Sequence, residues 1–185
     1  LRRFVGMFAF ALWDTVDRTL HLARDRIGKK PLHVALVGKS LVFASELKAI
    51  TAIPGFRRDL NEQAARRMVE TGWVPDHLCI WQNVLKLAPG SLLSIASTQL
   101  AFAPSIETLQ AQTKYWWSLA DSAADGRSNL FEGSDQDAVS RLDDVLRVAV
   151  RERMVADVPL GAFLSGGVDS AAVVSLMQAQ SAKPI

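Results

Sequence analysis

Apolar residues run almost unbroken from Gly6 to Trp13, then give way to polar–apolar alternation over Thr19–Asp25. Two shorter apolar runs follow, 32–36 and 40–44, separated at Gly38. With turn residues at 15–18 and a Gly/Pro-punctuated polar loop at 26–31, this pattern predicts four strands in an antiparallel meander. The first has almost no polar face and is expected to be covered on both sides. Ser45 is placed to cap a short helix ending near Ile50, and Asn61 to cap a second over Glu62–Glu70 that stops at Gly72. Residues 85–95 carry a Pro89-Gly90 turn leading into another strand. From 103 to 133 the pattern dissolves into Pro, Ser, Thr, Gln and Asp, broken by Tyr115-Trp116-Trp117. That stretch reads as an interdomain linker whose aromatics dock it onto a domain face. Ser134 then caps a long helix to Met154, with Leu142, Val145, Leu146, Ala149 and Val150 on one stripe and Arg141, Asp143, Asp144, Arg147 and Arg151 facing solvent. Val158–Phe163 reads as a strand buried on both faces, and Ala171–Gln180 as a helix. The expected division is one domain over 1–103, a linker over 104–133 and the start of a second domain over 134–185.

Composition narrows the function classes. A chain of 185 residues with 49% hydrophobic residues can pack a core. A formal charge of +2, with its basic residues scattered, argues against a nucleic-acid partner. No apolar run approaches the ~20 residues of a membrane helix, and no signal peptide stands at the front. The one cysteine, Cys79, sits among apolar neighbours and reads as a small core hydrophobe rather than a nucleophile. It precludes an internal disulfide and fits a reducing, cytoplasmic compartment.

The chemistry concentrates in Leu164-Ser165-Gly166-Gly167-Val168-Asp169-Ser170, between the predicted strand and helix. Two glycines free the backbone and admit a close approach. Such a loop aims successive N–H groups and the positive end of a helix dipole at one point, a geometry suited to phosphate. Ser165 and Ser170 add hydroxyls. Asp169 would repel phosphate unless a cation lay between them, so it is the expected Mg²⁺ ligand. The loop lacks the lysine of a Walker sequence and the third glycine of a dinucleotide fingerprint. It resembles the pyrophosphate loop of enzymes that split ATP into AMP and pyrophosphate.

Further stretches carry a wider resemblance. Gly6–Asp14, Ala23-Arg24-Asp25-Arg26-Ile27-Gly28-Lys29-Lys30-Pro31-Leu32, Phe43–Ala49, Lys86-Leu87-Ala88-Pro89-Gly90 and Asp157–Ser170 occur in that order. Together they resemble the glutamine-hydrolysing asparagine synthetase family, from the second half of its glutaminase domain into the start of its synthetase domain. The resemblance implies α+β followed by α/β. The first part is a partial N-terminal-nucleophile αββα sandwich. The second is the first strand and helices of an ATP-pyrophosphatase-type (adenine nucleotide α-hydrolase-like) parallel sheet.

It also implies an ATP-dependent carbon–nitrogen ligase with ATP and Mg²⁺ as cofactors and glutamine and aspartate as substrates, in a chain that could pair as a homodimer. Aspartate is adenylated, and ammonia taken from glutamine displaces AMP. Leu164 would contact the nucleotide through its backbone, and Ser165, Gly166, Gly167, Val168, Asp169 and Ser170 would form the pyrophosphate loop. Met7 falls either on the family's ammonia tunnel or simply in the core. Arg24, Asp25 and Glu46 read as a structural ion-pair network, and His33 stands where tyrosine is common. The family's nucleophilic cysteine is expected upstream of Leu1 and its second nucleotide loop after Ile185, so 1–185 by itself is expected to have neither activity. Relatives with other acceptors, among them β-lactam synthetases, peptide-cyclising enzymes and other amidotransferases, share the architecture. A non-catalytic module would not need so intact a loop.

Overall fold

A computed structural model describes residues 1–102 and 104–185, which form two compact units, Leu1–Asp125 and Gly126–Ile185. The first holds two antiparallel sheets. One has the order β1 (Ala9–Asp14), β2 (Thr19–Arg24), β6 (Ser91–Ala96), β7 (Lys114–Tyr115), and the other β4 (Ser40–Ala44), β3 (His33–Val37), β5 (Val84–Lys86). Helices α1 (Leu47–Thr51) and α2 (Glu62–Thr71) follow β4, and α3 (Ser97–Ala101) and α4 (Ile106–Gln112) follow β6. Inward residues of both sheets, Leu22, Leu93 and Ile95 from one and Val34 and Leu85 from the other, form one buried cluster with Leu32, Leu87 and Leu109. Each such side chain removed from water contributes ~1.5–3 kcal/mol. A second cluster joins Ala35, Ile50, Cys79 and Val84, so Cys79 is a core residue, and burial pushes its thiol pKa up.

The meander is present, with one reversal of expectation. Among the described residues β1 pairs only with β2 and forms an edge, and Leu12 and Trp13 are about half exposed (51% and 47%) rather than covered. α2 has the anticipated ends: Asn61 Oδ1 accepts from the Ala64 N–H at 3.1 Å, and Gly72 closes the helix at φ +78°. Ser45 does not cap α1; Glu46 occupies that position without a side-chain bond, and the Ser45 carbonyl instead takes His33 Nδ1 at 3.1 Å.

The stretch read as linker contains regular structure. Ser105 Oγ caps α4, whose Leu109 is fully buried, and β7 extends the larger sheet. The linker's expected starting boundary, at Ala103, falls outside the described residues. α5 (Leu119–Ser128) ends this region.

The second unit contains α6 (Asp135–Arg151) and α7 (Val168–Gln178), packed together. Ser134 and Asp137 form a reciprocal cap on α6. The predicted parallel sheet is absent among the described residues. Val158–Phe163 has no strand partner there, and Val158 and Phe163 are 72% and 101% exposed. A parallel strand is stable when it is paired and buried on both faces, and this segment has neither support. The α6 stripe is likewise only partly covered, with Leu142, Val145 and Leu146 exposed.

Candidate functional site

The loop 164–170 opens α7. Gly166 adopts φ +82°, which favours glycine, and Gly167 is the helix cap at φ −83°. Ser170 Oγ donates to the Gly167 carbonyl at 3.0 Å, so the 2.9 Å contact between Ser165 and Ser170 is assigned with Ser165 as donor. The two hydroxyls thus brace the loop across its mouth.

The main-chain N–H groups of Gly167, Val168 and Asp169 donate to no acceptor among the described residues. They are the orphan donors of a helix start, and they face solvent. A Cβ added at Gly166 would meet nothing within 4 Å, and one at Gly167 only Ser165 Oγ at 3.7 Å. That open space is where a ligand could reach the backbone. Asp169 lies in the first turn of α7 without an ion-pair partner among the described residues. Those residues contain no group of three or more His, Cys, Asp or Glu that could hold a metal. One carboxylate beside free amides and hydroxyls suits a cation whose remaining ligands are phosphate oxygens and water. Leu164 is 64% exposed at the loop's entrance, and Val168 points outward. All seven expected loop residues are therefore contiguous and open in the second unit.

Met7 lies in the first unit, 41% exposed, just before β1. Nearby, Arg24 and Asp25 are buried, but not as partners of one another. The Arg24 guanidinium donates to the carbonyls of Lys30 (2.9 Å), Leu87 (2.6 Å) and Gly28 (2.7 Å). The Asp25 carboxylate accepts from the N–H groups of Phe8 (3.2 Å), Lys29 (2.9 Å) and Lys30 (3.0 Å). Burial raises the Asp25 pKa, but the hydrogen bonds from Lys30, Lys29, Phe8 and Gly28 outweigh it and hold the carboxyl below its ordinary value. Glu46 is not part of this network; it pairs with Lys48 at 2.7 Å on the surface.

Two elements escaped the sequence reading. Asp76 joins Lys86 at 2.8 Å and approaches Arg24 at 3.8 Å. The Gly90 carbonyl accepts the N–H groups of Trp116 (2.9 Å) and Trp117 (3.2 Å). The adjacent tryptophans in a polar stretch signalled a docking point, although nothing in their spacing identified its receptor.

Residues 1–116 match the family described as glutamine amidotransferase domain, and residues 141–185 match the family described as asparagine synthase. Three relatives are named as glutamine-hydrolysing asparagine synthetases. The one from Mycobacterium bovis is 37% identical over 95% of this chain and 26% of its own length. The one from Methanocaldococcus jannaschii is 32% identical over 96% of this chain and 32% of its own. The one from Bacillus subtilis is 29% identical over 92% of this chain and 25% of its own. The chain thus spans about a quarter to a third of the length of the curated relatives it matches.

Proposed function

The chain belongs to the glutamine amidotransferase family, and we propose that it is the middle portion of a glutamine-dependent asparagine synthetase. In this reading the paired antiparallel sheets are part of an αββα glutaminase sandwich whose strands and core reach Tyr115, past the 1–103 expected from the sequence, so the connector is the later part of 104–133. The segment 134–185 opens the ATP-using domain. The whole enzyme would convert ATP, aspartate and glutamine into asparagine, glutamate, AMP and pyrophosphate through β-aspartyl-AMP, in the cytoplasm. No described helix is long and apolar enough to cross a membrane.

The observation that carries the reading is the set of unclaimed N–H groups at Gly167, Val168 and Asp169 beneath an open glycine surface. A carboxylate is a poor acyl donor, because oxide is a poor leaving group, and joining it to AMP supplies a good one. That step requires negative charge to gather on the departing pyrophosphate. The loop amides and the dipole of α7 meet that charge, while the Ser165 and Ser170 hydroxyls brace the loop that presents them. Leu164 offers main-chain groups to the adenine nucleotide at the entrance. Mg²⁺, when bound through Asp169, would neutralise phosphate oxygens. Met7, beside the Asp25-anchored entry to β1, is the proposed contact to passing ammonia.

Pyrophosphate release from ATP and aspartate by the full-length polypeptide tests the assignment. Asp169→Ala is expected to reduce it by about 100-fold or more, the range for losing a group that stabilises developing charge. Unchanged release in the variant would remove Asp169 from the reaction.

A further inference from the structure

Asp25 carries more contacts than an anchor for one loop needs. Besides the three N–H groups on its carboxylate, its own N–H donates to the Phe8 carbonyl at 2.8 Å. Its carbonyl accepts from Gly28 (3.1 Å) and from Gly90 (2.8 Å). Gly90 in turn receives Trp116 and Trp117. A Cβ at Gly90 would lie 2.4 Å from the Trp117 carbonyl, so the close approach depends on its absence. The Trp116 ring stacks on Phe8 with centroids 6.0 Å apart and planes at 19°, its Nε1–H donates to the Arg24 carbonyl at 3.3 Å, and the Arg26 guanidinium sits 5.1 Å from its centroid. Arg26 also donates to the carbonyls of Phe4 (2.6 Å) and Arg2 (2.8 Å). One residue, 2% exposed, therefore ties together the N-terminal segment, the 26–30 loop, the 88–90 turn and the start of the connector.

We infer that Asp25 is a positioning residue for nitrogen transfer. By holding Phe8, Lys29 and Lys30, its carboxylate keeps the main-chain carbonyl of residue 25 aimed at Gly90, the point from which the connector leaves the glutaminase part. At the same time it fixes, through Phe8, the segment that enters β1. This inference rests on the two-site reading above. An enzyme that releases ammonia at one site and consumes it at another loses ammonia to water unless both ends are held. The connector is the covalent path between them, and its anchorage here consists of the named hydrogen bonds and the Trp116 ring contacts. Loosening the anchor is predicted to waste glutamine rather than to stop either half-reaction.

The experiment compares wild type, Asp25→Asn and Trp116→Phe in the full-length polypeptide. Asn replaces one accepting oxygen with an amide NH2, a donor that would face backbone N–H donors. Phe keeps the stack but loses the donor to Arg24. Three quantities are measured: asparagine formed per glutamine hydrolysed, asparagine formed from ammonium chloride, and hydrogen exchange at the Gly90, Trp116 and Trp117 amides. Expected are exchange about tenfold faster at those amides and an asparagine-to-glutamine ratio at least about twofold lower, while ammonium-driven synthesis changes less than the ratio. A variant with faster exchange at 116 and 117 and an unchanged ratio would overturn the inference. Trp116→Phe keeps this test available if Asp25→Asn does not fold. Wild type lacking ammonium-driven synthesis would instead overturn the functional reading itself.

Discussion

Two glycine-bearing loops in this chain each hold an aspartate, and they are built to opposite purposes. In the 25–30 loop the aspartate itself takes the loop's N–H groups, and Arg24 takes its carbonyls. Gly28 adopts φ +68°, and a Cβ there would lie 2.7 Å from Pro89 Cγ and 2.9 Å from Arg24 Cζ. In the 164–170 loop, among the described residues, the amides are unclaimed and Asp169 has no ion-pair partner, while the glycine surface is bare. Glycine is needed in the first because protein occupies the space, and at Gly167 because protein does not. A loop that satisfies its own polar groups is scaffold; one that leaves them open at a helix start keeps the donors that the proposed function requires.

The largest effect expected from this contrast is a reversal between two equal substitutions. Gly28→Ala adds a methyl into packed atoms at positive φ and should destabilise the first unit by about 3 kcal/mol or more. Gly167→Ala, at φ −83° with free space around it, should shift stability by no more than about 0.5 kcal/mol. That same change should lower ATP-dependent pyrophosphate release by about tenfold or more, by fouling the approach to the amides. Urea midpoints from pulse proteolysis, together with pyrophosphate assays, check both halves. Equal stability losses at the two positions would break the comparison.

A smaller effect separates the loops by pH. The folded Asp25 carboxyl has a lowered pKa, so its contribution to stability is fully present above the unfolded value of about 3.9 and is lost as pH falls through the lower folded value. His33 acts earlier in an acid titration. Burial lowers its pKa, outweighing the Ser45 carbonyl bond that raises it, while Lys86 and Arg24 lower it further. The unfolded chain therefore takes up the proton first, and stability declines as pH falls below about 6.5, the unfolded value, toward the lower folded one. His33→Gln should flatten the first decline and Asp25→Asn the second, read as urea midpoints against pH. A wild-type midpoint constant between neutral pH and about pH 5 would exclude the histidine contribution.

What could be read from the sequence divides along the same line. Local rules sufficed where a residue's neighbours decide its state: the Asn61 and Gly72 ends of α2, the Ser134 cap of α6, and the glycine loop opening α7. They failed where distant atoms decide. Leu109 became helix core because Ser105 supplied a cap and both sheets supplied a pocket, although the surrounding composition looked like linker. Val158–Phe163 has the composition of a buried strand, but no neighbouring strand pairs with it. Arg24, Asp25 and Glu46 read as a structural ion-pair network; Arg24 does approach Asp76 at 3.8 Å, but Glu46 pairs with Lys48 instead, and Asp25 has no ion pair among the described residues. Backbone groups recruited from Phe8, Gly28, Lys29, Lys30 and Leu87 claimed the Arg24 and Asp25 side chains.

The docking of Trp116 has a consequence for how the chain can be watched. All five tryptophans and the one tyrosine lie within the first unit, at 13, 73, 81, 116, 117 and 115. The unit with the glycine loop has phenylalanine as its only aromatic residue type, at 131 and 163, and is almost dark in the near ultraviolet. Trp116, in contact with both a phenyl ring and a guanidinium, is a reporter already installed at the start of the connector. A change in its emission when ATP meets the 164–170 loop would be a signal carried from the dark unit to the bright one.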